Sequence, residues 1–234
     1  MAQTAVGPEV SGLAAVDLSR FSVLDVPPHD SWLHPRELDV LRTLRFPKRR
    51  ADWRLGRYTA KSALARRFAL ALPDIEVRAA ADGAPEAFHE DGPLPVVISI
   101  SHSGGWGTAA VADGGTALGC DIETIERRAA VLIEDFFTDV ERDFVDRWPA
   151  AERDALITTI WSAKESALKA TRRGLRADTR QVEVQFPDRM DGGWIPLAVC
   201  SPTTTMYGWA ARGSQTVVTV VSDPPPAAPV FVAP

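Results

Sequence analysis

Glu165 and Lys169 stand four residues apart in WSAKESALKA (161–170), which puts a carboxylate and an ammonium on one helix face. Such a pair is either a surface ion pair worth about 0.2–0.5 kcal/mol or part of the wall of a site, with Trp161 and Lys164 beside it. Upstream, GCDIE (119–123) sets Asp121 and Glu123 on either side of Ile122, so on a strand both carboxylates point to one side. Two like charges that close are unfavourable unless a cation lies between them, and Mg2+ takes one or two carboxylates together with substrate phosphates. The alternative is a strand end carrying two solvated acids. Glu165, further along the chain, would complete the set.

Two other stretches suit anions. ISISHSGG (98–105) places His102 after a β-rich run, in a turn whose hydroxyls, imidazole and backbone amides fit a phosphate. Ser101 and His102 are neighbours on a strand end and point to opposite sides, which suits a nucleophile and its base poorly; a structural histidine is the third reading. Residues 48–67 carry Lys48, Arg49, Arg50, Arg54, Arg57, Lys61, Arg66 and Arg67 against Asp52. On a helix Arg50, Arg54, Arg57 and Lys61 form one stripe whose like charges repel by a few tenths of a kcal/mol per pair. The stripe is either a solvated face or a polyphosphate site.

The elements that must hold these groups are legible in outline. Residues 33–44 and 46–70 read as helices, the second starting at Pro47. PDIEV begins a strand, 81–95 reads as loop from its Gly, Pro and Asp, and VVISIS and ALGCDIE read as strands. RRAAVLIEDFF, DVERDFVDRW and 153–172 read as helices, followed by strands in VEVQF, LAVC, MYGWAAR and TVVTVV. The order is helix then strands, twice, with a break close to residue 118, and AKSAL (60–64) is echoed by AKESAL (163–168). Residues 1–20 read as a leader or an edge strand, and the Pro-rich 223–234 as a disordered tail.

Composition bounds the classes. The 234 residues are 45% hydrophobic and 24% charged, the balance of a soluble globular protein. A net charge of −5 argues against a nucleic-acid binder. Cys120 and Cys200 are too few for a disulfide framework or a zinc site, which fits a reduced cytoplasm. The first 20 residues lack the basic and apolar regions of a signal peptide, and no apolar run reaches the roughly 20 residues of a membrane helix. A soluble cytoplasmic protein, without nucleic-acid or membrane partners, is expected.

Taken in order, these stretches resemble the larger, Sfp-type class of 4′-phosphopantetheinyl transferases. The resemblance rests on Arg50 to GRYTAK (56–61), GAP (83–85), SHS (101–103), GCDIE (119–123), FFTDVE (136–141) and WSAKESALK (161–169). It spans roughly 46–186, and its last motif is the most specific. It implies an α+β fold: a monomeric pseudo-dimer of two similar halves, 1–118 and 119–222. Each half would be a helix packed on a small, mostly antiparallel sheet, with the active site at their interface.

It also implies the reaction, Mg2+-dependent transfer of the 4′-phosphopantetheine of coenzyme A to a serine of an apo carrier protein, leaving adenosine 3′,5′-bisphosphate. The carriers of the class belong to peptide, polyketide, siderophore and fatty-acid synthesis. Asp121, Glu123 and Glu165 then resemble the metal ligands. Lys169 would neutralise the pyrophosphate and assist departure of the nucleotide, and Glu165 would take the serine proton directly or through a metal-bound water, with Glu141 as a second candidate. Lys164 would contact a phosphate or orient the site. Arg50, Arg57, Lys61, Ser101 and His102 would hold the 3′-phosphate and nearby parts of coenzyme A. Gly83, Ala84 and Pro85 would lie against the adenine.

Ala84 stands where many relatives have Lys, so a phosphate contact is either missing or supplied by Arg54. RRGLRAD (172–178) reads either as part of the carrier's docking rim or as an ordinary solvated helix end. The rival readings are a Mg2+-dependent phosphodiesterase acting on coenzyme A or nucleotides, and a non-catalytic coenzyme A or carrier-binding module.

Overall fold

The computed structural model describes residues 13–90, 92–172, 178–187, 193–229 and 231–232. In chain order they form β1 (Asp17–Ser22), α1 (Pro35–Thr43), α2 (Pro47–Phe68), β2 (Glu76–Ala79), β3 (Pro85–His89), β4 (Gly92–Pro93), β5 (Val96–Ser103), β6 (Trp106–Asp113) and β7 (Ala117–Thr124). There follow α3 (Ala130–Phe136), α4 (Asp139–Arg147), α5 (Arg153–Ala170), β8 (Glu183–Gln185), β9 (Trp194–Cys200), β10 (Thr205–Arg212), β11 (Thr216–Asp223) and β12 (Phe231–Val232). One sheet runs β12-β1-β6-β5, a second β7-β11-β10-β9-β8, and a small third β2-β3-β4. All pairings between these strands are antiparallel except β1 with β12. The class is α+β, as expected. Among the described residues no helix is long and apolar enough to cross a membrane.

Each long helix buries one stripe against one sheet. Ala60 and Leu64 of α2 pack with Ile98, Ala109 and Val111, and Ile160, Ala163 and Ala167 of α5 pack with Leu197, Val199 and Val221. Between the two larger sheets lies a third core of Leu18, Ala110, Ala112, Leu118, Cys120, Ile122, Val218 and Val220. Covered on both faces, β6 and β11 are therefore almost continuously apolar instead of alternating.

The two larger sheets meet where β5 and β7 run side by side without a shared ladder. Three serines at alternate positions of β5 span the gap. The Ser99 Oγ accepts from the Cys120 amide (2.9 Å), Ser101 donates to Asp121 (2.6 Å), and Ser103 donates to Glu123 (3.1 Å). Period two in the sequence thus becomes a row of hydroxyls along the seam.

One buried arrangement occurs twice. Glu37 closes a capping box at the start of α1, accepts the Val77 amide (3.0 Å) from β2, and takes the ammonium of Lys61 on α2. Glu141 closes a capping box at the start of α4, accepts the Val184 amide (2.8 Å) from β8, and takes the ammonium of Lys164 on α5 (2.8 Å). All four side chains are at most 2% exposed. The AKSAL and AKESAL echo is therefore a repeated tie between a short helix, a long helix and the strand that follows.

Three expectations change. Residues 81–95 read as loop, yet Pro85–His89 and Gly92–Pro93 pair as strands; the Asp82–Gly83 turn, with Gly83 at φ +88°, reverses the chain into β3. The break near 118 falls inside β7, which belongs wholly to the second sheet. The described part of the tail is docked, not disordered. Phe231 and Val232 pair with Leu18 and Ser19, the Phe231 ring lies 5.1 Å from that of Trp194, and Trp209 donates to the Pro226 carbonyl (3.0 Å). An aromatic anchor outweighs the Pro-rich composition around it. Phe231→Ala should lower stability by about 1–2 kcal/mol, checked by urea denaturation, because the ring is partly buried between β1 and β9.

Candidate active site

Asp121 and Glu123 emerge from the same side of β7, and Glu165 and Lys169 face them from α5 one turn apart. The helix can come this close because residue 119 is a glycine: a Cβ there would lie 1.8 Å from the Ser166 carbonyl oxygen. Gly119→Ala should push α5 off β7 and cost about 3 kcal/mol or more, seen as a lower denaturation midpoint. In such a variant Glu165 and Lys169 move relative to Asp121, so activity should fall before the fold is lost.

Lys169 donates to Asp121 Oδ1 (2.7 Å) and to the Cys120 carbonyl (3.1 Å), and Ser101 donates to the same Oδ1 (2.6 Å). Burial works against the Lys169 ammonium, but Asp121 outweighs it and holds the pKa above the usual lysine value. Glu165 has no such partner. Burial first, then repulsion from Asp121, pushes its carboxyl up to about 7, with Lys169 opposing and Glu123 adding to the rise. Asp121 Oδ2 and Glu165 Oε1 are both buried without a hydrogen-bond partner. Two orphaned carboxylate oxygens on facing elements fit a hard cation, which takes oxygen ligands and keeps waters of its own.

The third expected ligand is not part of that pair. Glu123 accepts from Arg128 (3.0 Å) and Ser103 (3.1 Å), and among the described residues no three His, Cys, Asp or Glu side chains form a ready-made metal cluster. Arg128, whose Nε is also buried and unpartnered, holds Glu123 aside.

The remaining predicted site residues divide. Arg57 and His102 line one pocket of about 220 Å3, and Gly83 and Pro85 lie between it and a cavity of about 520 Å3. That cavity has Ala84 and Lys169 in its lining, and apolar walls that include Phe88, Leu94, Ile98 and Leu118. Ser101 faces the carboxylates instead, because alternate residues of β5 point opposite ways.

Arg50 does not line the smaller pocket; it donates to the Leu41 carbonyl (2.6 Å) at the end of α1. Arg54 is held by the Pro27 carbonyl (2.5 Å) and Asp30 (2.8 Å), so it does not replace a lysine at position 84. Lys61 is sealed against Glu37. The basic stripe is thus neutralised mainly by carbonyls and carboxylates of the chain itself.

Lys164 and Glu141 are corrected in the same way. The ammonium meets Glu141 and the carbonyls of Thr179 (2.9 Å) and Val182 (2.7 Å), which uses all three of its hydrogens. Lys164 therefore has none for a phosphate, and Glu141 is filled by its cap, the Val184 amide and the lysine. Both side chains lie inside the protein, Lys164 on a face of α5 turned about 100° from Glu165 and Glu141 reaching it from α4. Trp161 packs against Phe136 (5.3 Å) and the α5 core. In RRGLRAD, residues 173–177 lie outside the described residues, and Arg172 forks onto Asp82 (2.7 and 3.0 Å).

A family model for the 4′-phosphopantetheinyl transferase superfamily matches residues 117–194. The matched segment contains Gly119, Asp121, Glu123, Glu165 and Lys169, the groups that converge across β7 and α5. The chain is also similar to 4′-phosphopantetheinyl transferase psf-1 of Bacillus pumilus, with 29% identity over 126 residues. That match covers 52% of this chain and 50% of the relative, so the chain spans about half the length of the curated relative it matches. Among solved structures it resembles a holo-(acyl-carrier-protein) synthase from Bacillus anthracis, in complex with CoA (3′,5′-ADP), at 20% identity and a TM-score of 0.37, covering 44% of this chain and 100% of that one.

Proposed function

We propose that this protein transfers the 4′-phosphopantetheine group of coenzyme A to a serine of an apo carrier protein, releasing adenosine 3′,5′-bisphosphate. The observation that carries this reading is the pair of orphaned oxygens on Asp121 and Glu165, beside Lys169, inside the segment that matches the superfamily. Asp121 and Glu165 would hold Mg2+, with Glu123 a third ligand once released from Arg128. When bound, the ion would neutralise the pyrophosphate, which is most of what phosphoryl transfer asks of a catalyst.

The chain's own residues supply the rest. The carrier's serine oxygen attacks the β-phosphorus, a new P–O bond forms, and the bond to the departing nucleotide phosphate breaks. Glu165, whose Oε1 is buried without a partner beside Asp121, is the carboxylate placed to accept the serine proton. Lys169, ammonium in hand, offsets negative charge on the departing phosphate, and Ser101 and Asp121 fix its direction. The pocket with Arg57 and His102 takes the nucleotide end. The larger cavity, apolar except near Lys169, takes the uncharged arm.

The twice-built capping box with its buried lysine supports a chain of two similar halves, with the site on the seam between them. A monomer working in the cytoplasm on carriers of peptide, polyketide, siderophore or fatty-acid synthesis follows from the same reading. The deciding experiment mixes the protein with Mg2+, coenzyme A and apo carrier domains and reads the carrier's intact mass. Gain of one phosphopantetheine is expected. Cleavage of coenzyme A without that gain would favour a phosphodiesterase, and no change with several carriers a binding module.

A further inference from the structure

We propose that Arg128 is a counter-ion latch on Glu123: it occupies the carboxylate while no ion is bound, and a divalent cation takes its place by driving the guanidinium onto Glu126. The proposal rests on Asp121, Glu123 and Glu165 being the ion's ligands, as argued above. Asp121 and Glu123 are held alike, each by a serine of β5 and a cation on the same carboxylate oxygen. For Asp121 the cation is Lys169 (2.7 Å), and for Glu123 it is Arg128 (3.0 Å). The two cations differ in how they are anchored. Lys169 stands on α5, and its second contact is the carbonyl of buried Cys120 (3.1 Å). Arg128 stands on residues 125–129, the irregular stretch between β7 and α3. Its fork is already split between two acids, one nitrogen on Glu123 and the Thr124 carbonyl (3.3 Å), the other on Glu126 (3.2 Å).

Charge sets the direction of the exchange. Asp121, Glu123 and Glu165 are three carboxylates, and Lys169 and Arg128 bring two cations to them. A divalent ion beside Lys169 would balance all three acids, which leaves Arg128 surplus at Glu123. A guanidinium displaced into the interior would be costly, because a buried charge needs a partner. Here the way out leads to solvent. The Glu123 side chain is 20% exposed and that of Glu126 61%, so sliding onto Glu126 carries Arg128 towards water with a carboxylate in hand. The same movement would wet its Nε, which is buried without a hydrogen-bond partner while Arg128 lies on Glu123. The opposite role, a clamp that orients Glu123 for the ion, predicts the opposite sign: losing Arg128 would then weaken the ion instead of tightening it.

The test is Mn2+ binding to the protein without coenzyme A, read from the electron paramagnetic resonance of the free ion. Arg128→Gln should bind Mn2+ about 10-fold more tightly than wild type, the size of one charge-assisted contact no longer in competition. Arg128→Lys, which can hold one acid at a time, should fall between. The exposed Arg127 carries the same charge next door, and Arg127→Gln should change the affinity less than about two-fold, since an exposed charge is screened. In a Glu123→Gln background, Arg128→Gln should have no further effect. Weaker binding in Arg128→Gln would make Arg128 an orienting clamp and overturn the proposal. An equal gain with and without Glu123 would reduce Arg128 to a general field and overturn it as well, as would an unchanged affinity. Tighter binding that depends on Glu123, in a protein that transfers nothing to carriers, would sink the transferase reading and leave the latch standing.

Discussion

Glu165→Gln is expected to cost about 10²–10⁴ in the rate of phosphopantetheinyl transfer and, in chelator, to make the protein more stable at pH 8. Both effects have one source. The Glu165 Oε1 is buried, has no partner, and faces Asp121 and Glu123. Glutamine removes a proton acceptor and an oxygen suited to a cation, and with them the repulsion. The folded carboxyl titrates at about 7 against 4.5 in a free chain. Between those values the folded state binds more protons than the unfolded state, so stability falls as pH rises through that window. Such a difference corresponds to roughly 3 kcal/mol, and solvent screening at this half-buried position reduces it to about 1–2 kcal/mol. Thermal melts in chelator should show the variant ahead of wild type at pH 8 and level with it near pH 4.5. Equal melting at pH 8 would mean that Glu165 is not strained in the folded state.

The largest loss of stability is expected from Glu141→Ala, about 3–5 kcal/mol, because it strands the Lys164 ammonium in the interior. The same change removes the acceptor of the Val184 amide and one side of the α4 cap. A double variant, Glu141→Gln with Lys164→Met, leaves a neutral capping box and no buried charge, and should recover about half of that loss in urea denaturation. Transfer measured on the folded double variant should stay within a few-fold of wild type. A double variant that folds well and transfers nothing would return the pair to the chemistry.

How far these residues could be read in advance follows from the range over which their environment is set. Asp121, Glu123, Glu165 and Lys169 were legible because strand and helix periodicities place them before any tertiary contact forms. The span of α2 and α5 was legible for the same reason. The sealing of Lys61, Lys164 and Glu141 was not legible because their burial is decided by partners at distant positions, Glu37 for Lys61 and Val184 for Glu141. A basic helix face looks the same in sequence whether its counter-charge is a ligand or a carboxylate of the next element. Arg128 gave no signal at all, since only folding brings it to Glu123. The docked tail was hidden by composition, its one strong anchor, Phe231, standing among prolines and small residues.

The row of serines between β5 and β7 has a consequence for solubility. Each strand is the edge of a large sheet, and an edge strand presents unpaired amides and carbonyls to any other chain. Here the two edges shield each other, held by three hydroxyls instead of a ladder of main-chain bonds. The seam that gathers the carboxylates is therefore also the cover over two aggregation-prone edges. Substitutions that strip its hydroxyls should appear first as concentration-dependent self-association, before any loss of helix content.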